Sequence, residues 1–544
     1  MNRRNIIFLQ LPQLDTCAHG HRENLQLAAT YLRHAMEQSP EGPFHRVVTI
    51  PNADELDDRH LLAAIARAKP AVIAATLYLW NIERTLDLLK KAKRVLPKLK
   101  VVAGGPEVAD DHPFLFRSRA VDVTVPGEGE KVFPSILKAF RTGRRYVRPA
   151  QAPAFHLQHD LPPPEYPDNK PDANGMAYIE STRGCPFRCS YCCYGHRRSA
   201  VSFLHAEEVL ARVRVLRQRG AKEIRFIDPM FNANPEFRRI IVELAKLNRS
   251  ARLQFFAELQ ADRITAEDAK LLALAGFREI EVGVQSRNPE TLRQIHRPDR
   301  LEPLDQGIQH MMKAGILLTV DLMYGLPGQN LRDIQHMLNW AARLRRARVQ
   351  CMQTLLLPGT ELRRYRHKYG FVSSNRPPYQ VKSSATLTAA ELRQADMTSQ
   401  RLLGVLADAP TARFVGRKLP GLFTEHVEAG APGRCSHRAM FFRGDDLYGR
   451  RRTIRAAVRR AVAEEPHILW QFVLVPEHEE PLDLLEELAD ELERFPPLVG
   501  DALIELHSPG RRASRRIFVQ LRSDRRYDRT WQQAAEELLR GRCF

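Results

Sequence analysis

Cys185-Pro186-Phe187-Arg188-Cys189-Ser190-Tyr191-Cys192 places three thiols at offsets of four and three, close enough along the chain to serve one metal centre. Thiolates are soft ligands that favour zinc, copper(I) or iron-sulfur clusters. A structural zinc site closes its tetrahedron with a fourth Cys or His, usually from a second knuckle, and no second CxxC or HxxxH pair occurs. Cys193 and His196 lie nearby and keep zinc or a redox thiol open as alternatives. A 4Fe-4S cluster on three thiolates leaves one iron free to bind a small molecule. With 8 Cys in 544 residues, chance would produce this triple in roughly 0.002 chains.

Outward from these thiols, CxxxCxxC has an aromatic residue, Tyr191, before its last Cys. It is led by Arg183-Gly184 and preceded by a strand-like run at 176–181. The pattern resembles the radical S-adenosylmethionine (SAM) superfamily. The resemblance implies that Cys185, Cys189 and Cys192 hold three irons while the amino and carboxylate groups of SAM take the fourth.

It continues for about 180 residues. Helical patterns at 206–218, 235–247, 266–275, 304–314 and 331–347 alternate with apolar strands at 223–227, 253–258, 279–284, 316–323 and 349–356. With the strand before the thiols these make six repeats, which predict an open (β/α)6 partial TIM barrel with its chemistry at the carboxyl ends of the strands. Asp228, Glu258, Gln285-Ser286 and Gly325-Leu326-Pro327-Gly328 follow those apolar runs. Alone, each reads equally as a cap or a turn. By the resemblance, Asp228 and Glu258 reach the amino group or ribose of SAM, Gln285 and Ser286 its ribose and carboxylate region, and Tyr191 its adenine through the backbone.

Before the thiols, residues 1–150 alternate short apolar runs (5–11, 46–50, 71–77, 100–103, 121–125) with helical patterns such as 22–36 and 82–95. This alternation predicts a Rossmann-like, doubly wound parallel sheet, which binds ligands beyond the carboxyl ends of its strands. Two loops there carry glycine: Gly104-Gly105-Pro106-Glu107 and Gly127-Glu128-Gly129-Glu130. Glycine permits positive φ and close approach of backbone to a ligand. The pairing resembles the cobalamin-binding domain fused to one branch of the superfamily. There Gly104, Gly105, Gly127, Glu128 and Gly129 would flank the nucleotide tail of a base-off cobalamin, with Thr76 and the rest of 76–80 near the corrin. Neither 15–20 nor 110–113 has the DxHxxG spacing that supplies an axial His, so none is expected on cobalt. Tyr78 and Trp80 are candidates for the lower face, or core packing.

Residues 151–175 are proline-rich and read as an extended, mobile linker unable to sustain a helix. The radical SAM core is expected over 176–380. Residues 381–544 suggest a small α/β C-terminal module, with helices at 389–406, 453–463, 482–493 and 531–539 and strands at 468–475, 502–506 and 516–521. Cys435 and Cys543 have no partner at metal spacing and read as ordinary thiols.

The net charge of +19 raises a nucleic-acid partner, but the arginines are dispersed without interleaved aromatics, which favours a solvated basic surface or an anionic small substrate. No apolar run is long enough for a membrane span and no signal-peptide pattern opens the chain, so a reducing, cytoplasmic setting is expected.

Together the resemblances imply a radical SAM enzyme that uses a 4Fe-4S cluster, SAM and cobalamin. Its expected reaction is C-methylation of an unactivated carbon, by 5′-deoxyadenosyl radical hydrogen abstraction and methyl transfer from methylcobalamin. The alternatives are an oxidative cyclase or ring-rearranging enzyme of small-molecule or tetrapyrrole metabolism, and a non-catalytic cobalamin-binding sensor. The expected partners are a small-molecule or peptide substrate and an electron donor such as a flavodoxin or ferredoxin. Cys193, next to the triad, reads by default as a packed thiol turned from the cluster, with a redox or hydrogen-donor role as the functional alternative.

Overall fold

The computed structural model describes residues 3–14, 26–149, 154–194, 201–297, 300–403, 413–428, 433–501 and 514–542. Three parallel sheets follow one another along the chain. The first contains β1 (Arg4–Leu9), β2 (His45–Val47), β3 (Val72–Thr76), β4 (Lys100–Gly104) and β5 (Val123–Thr124), in the order β2-β1-β3-β4-β5. Its strands are apolar on both faces because both are covered. Ile6, Val72 and Ala74 pack with Met36 of α1 (Leu27–Glu37) and Ile136 of α4 (Phe133–Thr142). Their neighbours Ile7, Ile73 and Ala75 pack on the other side with Leu61 of α2 (Asp58–Ala68) and Leu88 of α3 (Ile82–Val95). The doubly wound expectation therefore holds, strand by strand.

The segment 154–175 departs from the expected linker. It contains a short helix, α5 (Leu157–Asp160), and Phe155 and Leu157 are buried. Arg219 donates to the carbonyls of Glu165, Tyr166 and Asn169, and Arg33 pairs with Asp168 at 3.0 Å. The prolines deny this stretch a sheet, but side chains from both flanking units supply the hydrogen bonds its backbone lacks. The segment is a packed strap with a turn of helix, where an extended connector unable to sustain a helix was expected.

The second sheet holds six parallel strands in chain order: β6 (Met176–Ile179), then β9 (Glu223–Phe226), β10 (Gln254–Glu258), β11 (Phe277–Gln285), β12 (Leu317–Tyr324) and β13 (Ala347–Gln353). That is the count and order of an open (β/α)6 arrangement, with helices at Ala206–Gln218, Phe237–Leu247, Ala266–Ala275, Leu301–Lys313 and Leu331–Ala341 between the strands. A two-stranded ribbon, β7 (Thr182–Arg183) with β8 (Ser202–Phe203), brings together the ends of the thiol-bearing loop. After β13 a second ribbon pairs β14 (Val372–Ser373) with β15 (Val381–Ser383), and packing continues beyond it, since Leu387, Leu392 and Ala395 share the core of the six-stranded sheet.

The third sheet also has five parallel strands: β16 (Val415–Gly416), β17 (Glu425–Glu428), β18 (His437–Gly444), β19 (Leu469–Pro476) and β20 (Arg515–Gln520), ordered β16-β20-β19-β18-β17. The expected strand at 502–506 lies outside the described residues. β18 was not expected, because Arg438 and Arg443 interrupt its apolar run. Arg438 is nonetheless buried, pairing with Glu465 at 3.1 Å and stacking on Trp470. Glu465 also receives the N–H groups of Asp58 and Arg59 at 3.2 and 3.0 Å, capping the first turn of α2 from another unit. Among the described residues no helix is long and apolar enough to cross a membrane.

Candidate cofactor site between two sheets

The carboxyl ends of β3, β4 and β5 open into a cavity of about 330 Å³. One wall contains Thr76, Tyr78, Gly104, Gly105 and the run Gly127-Glu128-Gly129-Glu130, so all six glycine-loop and Thr76 expectations meet at one surface. Gly105 has φ +99°, and a Cβ there would lie 2.7 Å from the Leu77 carbonyl oxygen. Only glycine allows that close approach. Gly127, at φ +81°, faces open space, as a loop that receives a ligand requires. Trp80 stacks on Tyr78 with ring centroids 4.5 Å apart but does not itself line this cavity. A glycine cradle beside carboxylates fits a corrinoid, whose amide arms donate hydrogen bonds.

The opposite wall comes from the second sheet: Glu180, Arg183, Gly184, Cys193, Tyr194, Ile227 and Pro229. Cys193 thus faces the shared cavity, where a thiol packed out of the way was the default expectation. The cavity reaches the residue directly after Cys192.

Within the cysteine loop Cys189 is buried, while Cys185 and Cys192 are partly exposed. The loop is held by backbone, Ser190 N–H donating to Ile295 O at 3.0 Å and Leu362 N–H to Ser190 O at 2.7 Å. The Cys192 sulfur accepts the Tyr194 N–H at 3.4 Å, and the Phe187 N–H serves Cys185. These donors favour thiolates, whereas burial and then the neighbouring Cys193 thiol push the Cys192 thiol up to about 12. A bound cationic centre would offset that opposition. Among the described residues, no three His, Cys, Asp or Glu side chains are gathered to hold a single metal ion. Thiols on three corners of a cubane bind three different irons and need not converge on one point.

At the mouth of the second sheet, Glu258 ends β10 in register with Glu281. Burial, then Glu281 and Asp228, push its carboxyl up to about 7, although the side chain touches solvent within the mouth. Gln285 adopts φ +63° at the end of β11, a strained state for a residue with a Cβ. Ser286 is buried and accepts the Asn288 N–H at 3.2 Å. Tyr191 packs by its ring, and its hydroxyl accepts from Arg297 at 3.2 Å. Asp228 sits differently from the expectation. It is 0% exposed, and its oxygens take the Ser181 N–H at 2.7 Å and the Ser181 hydroxyl. It anchors the turn into the cysteine loop, while its neighbours Ile227 and Pro229 face the cavity.

Two residues here escaped the sequence reading. Arg297 donates to Gln260 Oε1 at 3.1 Å and Gly283 O at 2.5 Å, placing a cation among the mouth carboxylates. Asp321, mid-strand in β12, is 8% exposed, with Oδ1 free of hydrogen bonds. Burial, then the hydrogen bond and charge of the adjacent Glu281, push it up to about 9. The available signal was an acidic residue within an otherwise apolar parallel strand.

Two family models match this chain. Residues 179–341 match the family model described as the radical SAM superfamily, and residues 24–137 that of the B12 binding domain. An uncharacterised methyltransferase of Pyrococcus horikoshii is 23% identical over 58% of this chain and 73% of its own length. The cobalamin-dependent radical SAM methyltransferase TokK of Streptomyces tokunonensis is 26% identical over 49% of this chain, which spans only 44% of TokK. The radical SAM methyltransferase TsrM of Kitasatospora setae, solved with cobalamin and a 4Fe-4S cluster, shares the fold. It aligns at TM-score 0.54 and 17% identity over 69% of this chain and 76% of its own.

Proposed function

Because the chain belongs to the radical SAM superfamily and carries a B12 binding domain ahead of its radical SAM domain, we propose that it is a cobalamin-dependent methyltransferase. Its substrate would present an unactivated carbon. The observation that carries this reading is a single cavity bounded on one side by the glycine loops and on the other by the residues next to Cys192. Two cofactor sites that share a cavity suit a reaction in which a hydrogen leaves a carbon and a methyl group arrives at it.

When bound, the cluster with SAM supplies one-electron hydrogen abstraction and the corrinoid a methyl group. Cys185, Cys189 and Cys192 would hold the cluster, with Ser190 fixing their loop through Ile295 and Leu362. Arg297 places a positive charge at the mouth, matching the carboxylate end of an amino acid group such as that of SAM, and the carboxyl groups of Glu258 and Asp321, held protonated in the main by burial, would ionise against its ammonium end. Thr76, Gly104, Gly105, Gly127, Glu128 and Gly129 would cradle the corrinoid, and the aromatic ring of Tyr78 on the same wall would help exclude water from the cavity. We further read the substrate as a small molecule or peptide, the electron donor as a flavodoxin or ferredoxin type of protein, and the setting as the cytoplasm.

The test is anaerobic reconstitution with iron, sulfide and cobalamin, followed by incubation of host extracts with methyl-labelled SAM. A product heavier by one labelled methyl group is expected, together with 5′-deoxyadenosine. Protein lacking both an iron-sulfur spectrum and bound corrinoid would overturn the reading. A product that has lost hydrogen without gaining label would replace methyl transfer by oxidative ring closure.

A further inference from the structure

The two glycine loops of the first sheet are held by side chains from outside the B12-type unit. Arg183, on β7 of the second unit, is enclosed by carboxylates: Glu180 at 2.7 Å, Glu130 at 2.8 Å and Glu128 at 3.5 Å. Its guanidinium lies 3.9 Å from the ring centroid of Phe155 and 5.5 Å from that of Tyr31, so strap and α1 enclose it from the sides. The Phe155 N–H also donates to Glu128 at 3.1 Å. Glu128 and Glu130 belong to the loop that lines the cavity, and Glu180 and Arg183 line it too. Without the guanidinium, three carboxylates would face one another with little water to screen them, and the loop would swing away from the second sheet.

The other loop has an independent fastening. Glu107, directly after Gly104-Gly105-Pro106, is 2% exposed and accepts the Tyr379 hydroxyl at 2.7 Å. His112 Nε2 lies 3.1 Å from the same carboxylate, while its Nδ1 accepts the N–H groups of Phe114 and Leu115 at 3.3 and 3.0 Å. The proton is therefore on Nε2, which donates to Glu107. Tyr379 is 0% exposed and stands in the segment after β13. That segment grips the first unit again through Arg376 with Glu83 at 2.8 Å and through the Gly359 N–H to Asp111 at 2.6 Å.

We propose that the corrinoid cradle is completed from the radical SAM side, with Arg183 and Tyr379 as positioning residues that set the two glycine loops in their binding shape. Corrinoid affinity is then a property of the docked pair of units. The inference rests on the cobalamin-dependent reading, since it assigns the loops that same ligand.

The test uses the full chain, reconstituted anaerobically and titrated with hydroxocobalamin. Visible absorbance reports Kd and the base-off spectrum, and iron per chain reports the cluster. Arg183→Met is expected to weaken cobalamin binding about tenfold or more, as loss of one partner from a buried ionic group requires, while iron content stays at the parent level. Adding Glu130→Gln to Arg183→Met should recover part of that loss, because it removes one stranded carboxylate. Tyr379→Phe, which keeps the ring, is expected to cost about threefold, the worth of one hydrogen bond. Parent-like Kd values, within about twofold, in both single variants overturn the proposal. So does a loss of corrinoid in Arg183→Met that Glu130→Gln fails to relieve and that runs parallel to loss of iron, since Arg183 would then serve the cysteine loop. If the parent chain itself binds no corrinoid, the broader functional reading fails instead.

Discussion

The first and third sheets share an architecture and differ at one edge. Both are five-stranded and parallel, with helices packed against them. Beyond the carboxyl ends of β3 to β5, glycines leave a cavity of about 330 Å³. Beyond those of β18 and β19, large side chains fill the same location. Glu480 accepts the N–H groups of Leu447 and Tyr448 at 2.8 and 3.0 Å, and Trp531 Nε1 donates to the Glu480 carbonyl at 2.8 Å. Tyr527 donates to Pro476 O at 2.6 Å, and Arg522 pairs with Glu477 at 2.9 Å. The carboxyl edge of a parallel sheet offers free N–H groups and space. Glycine keeps that offer open for a ligand, whereas a buried carboxylate and two aromatic rings take it up internally.

The strongest test of this contrast separates cluster from cradle. Cys192→Ala is expected to abolish product formation and lower iron content while the first sheet still retains corrinoid. Loss of both cofactors together would show that the cavity depends on the cysteine loop for its shape. Next, Gly105→Ala should reduce corrinoid affinity about tenfold or more, since its Cβ would meet backbone 2.7 Å away at φ +99°. The control is Gly421→Ala in the third unit, where φ is +98° but no atom lies within 4 Å. That change should lower stability by about 1–2 kcal/mol, read by thermal unfolding, with corrinoid Kd unaltered.

A smaller effect is expected at the closed edge. Glu480→Ala strands two backbone N–H groups and should destabilise the third unit by about 1–3 kcal/mol. If it instead created a corrinoid or nucleotide site detectable by titration, the contrast between open and sealed edges would be a matter of one side chain.

The smallest effect concerns pH. Burial, then Asp57 and Asp58, raise the Glu465 carboxyl from 4.5 to about 7, against the lowering influence of Arg438. A raised folded-state value means that the folded form binds the proton more tightly. The stability linked to it is therefore complete below about 4.5 and disappears as pH rises through about 7. Thermal unfolding of the apoprotein should show this decline over that range, and Glu465→Gln should flatten it. An unchanged slope in the variant would assign the pH dependence to other groups.

Legibility in the sequence followed how local each feature was. The helix at 82–95 and strands β3 and β4 could be read closely because periodicity and apolar runs are short-range signals. β18 was illegible because Arg438 looks like a surface residue until Glu465 and Trp470 arrive from elsewhere, while Arg443 at the far end of the strand is a surface residue. The strap at 154–175 looked loose because its partners, Arg33 and Arg212 on helices and Arg219 just past the end of one, are distant in sequence. Asp228 stood at a strand end, as the resemblance required, yet which way its carboxylate turned depended on Ser181, 47 residues earlier.

By itself the amino-acid order determined the cysteine spacing, the glycines that need positive φ and the alternation of strands and helices. Each is settled by chemistry within a few residues of chain. Only the folded arrangement decided that the glycine loops and the residue after Cys192 share one cavity. It also decided that Arg183 is ringed by carboxylates from two units, and that the third sheet closes its own edge. Those outcomes depend on which surfaces meet when separate units dock, and no window along the chain records that meeting.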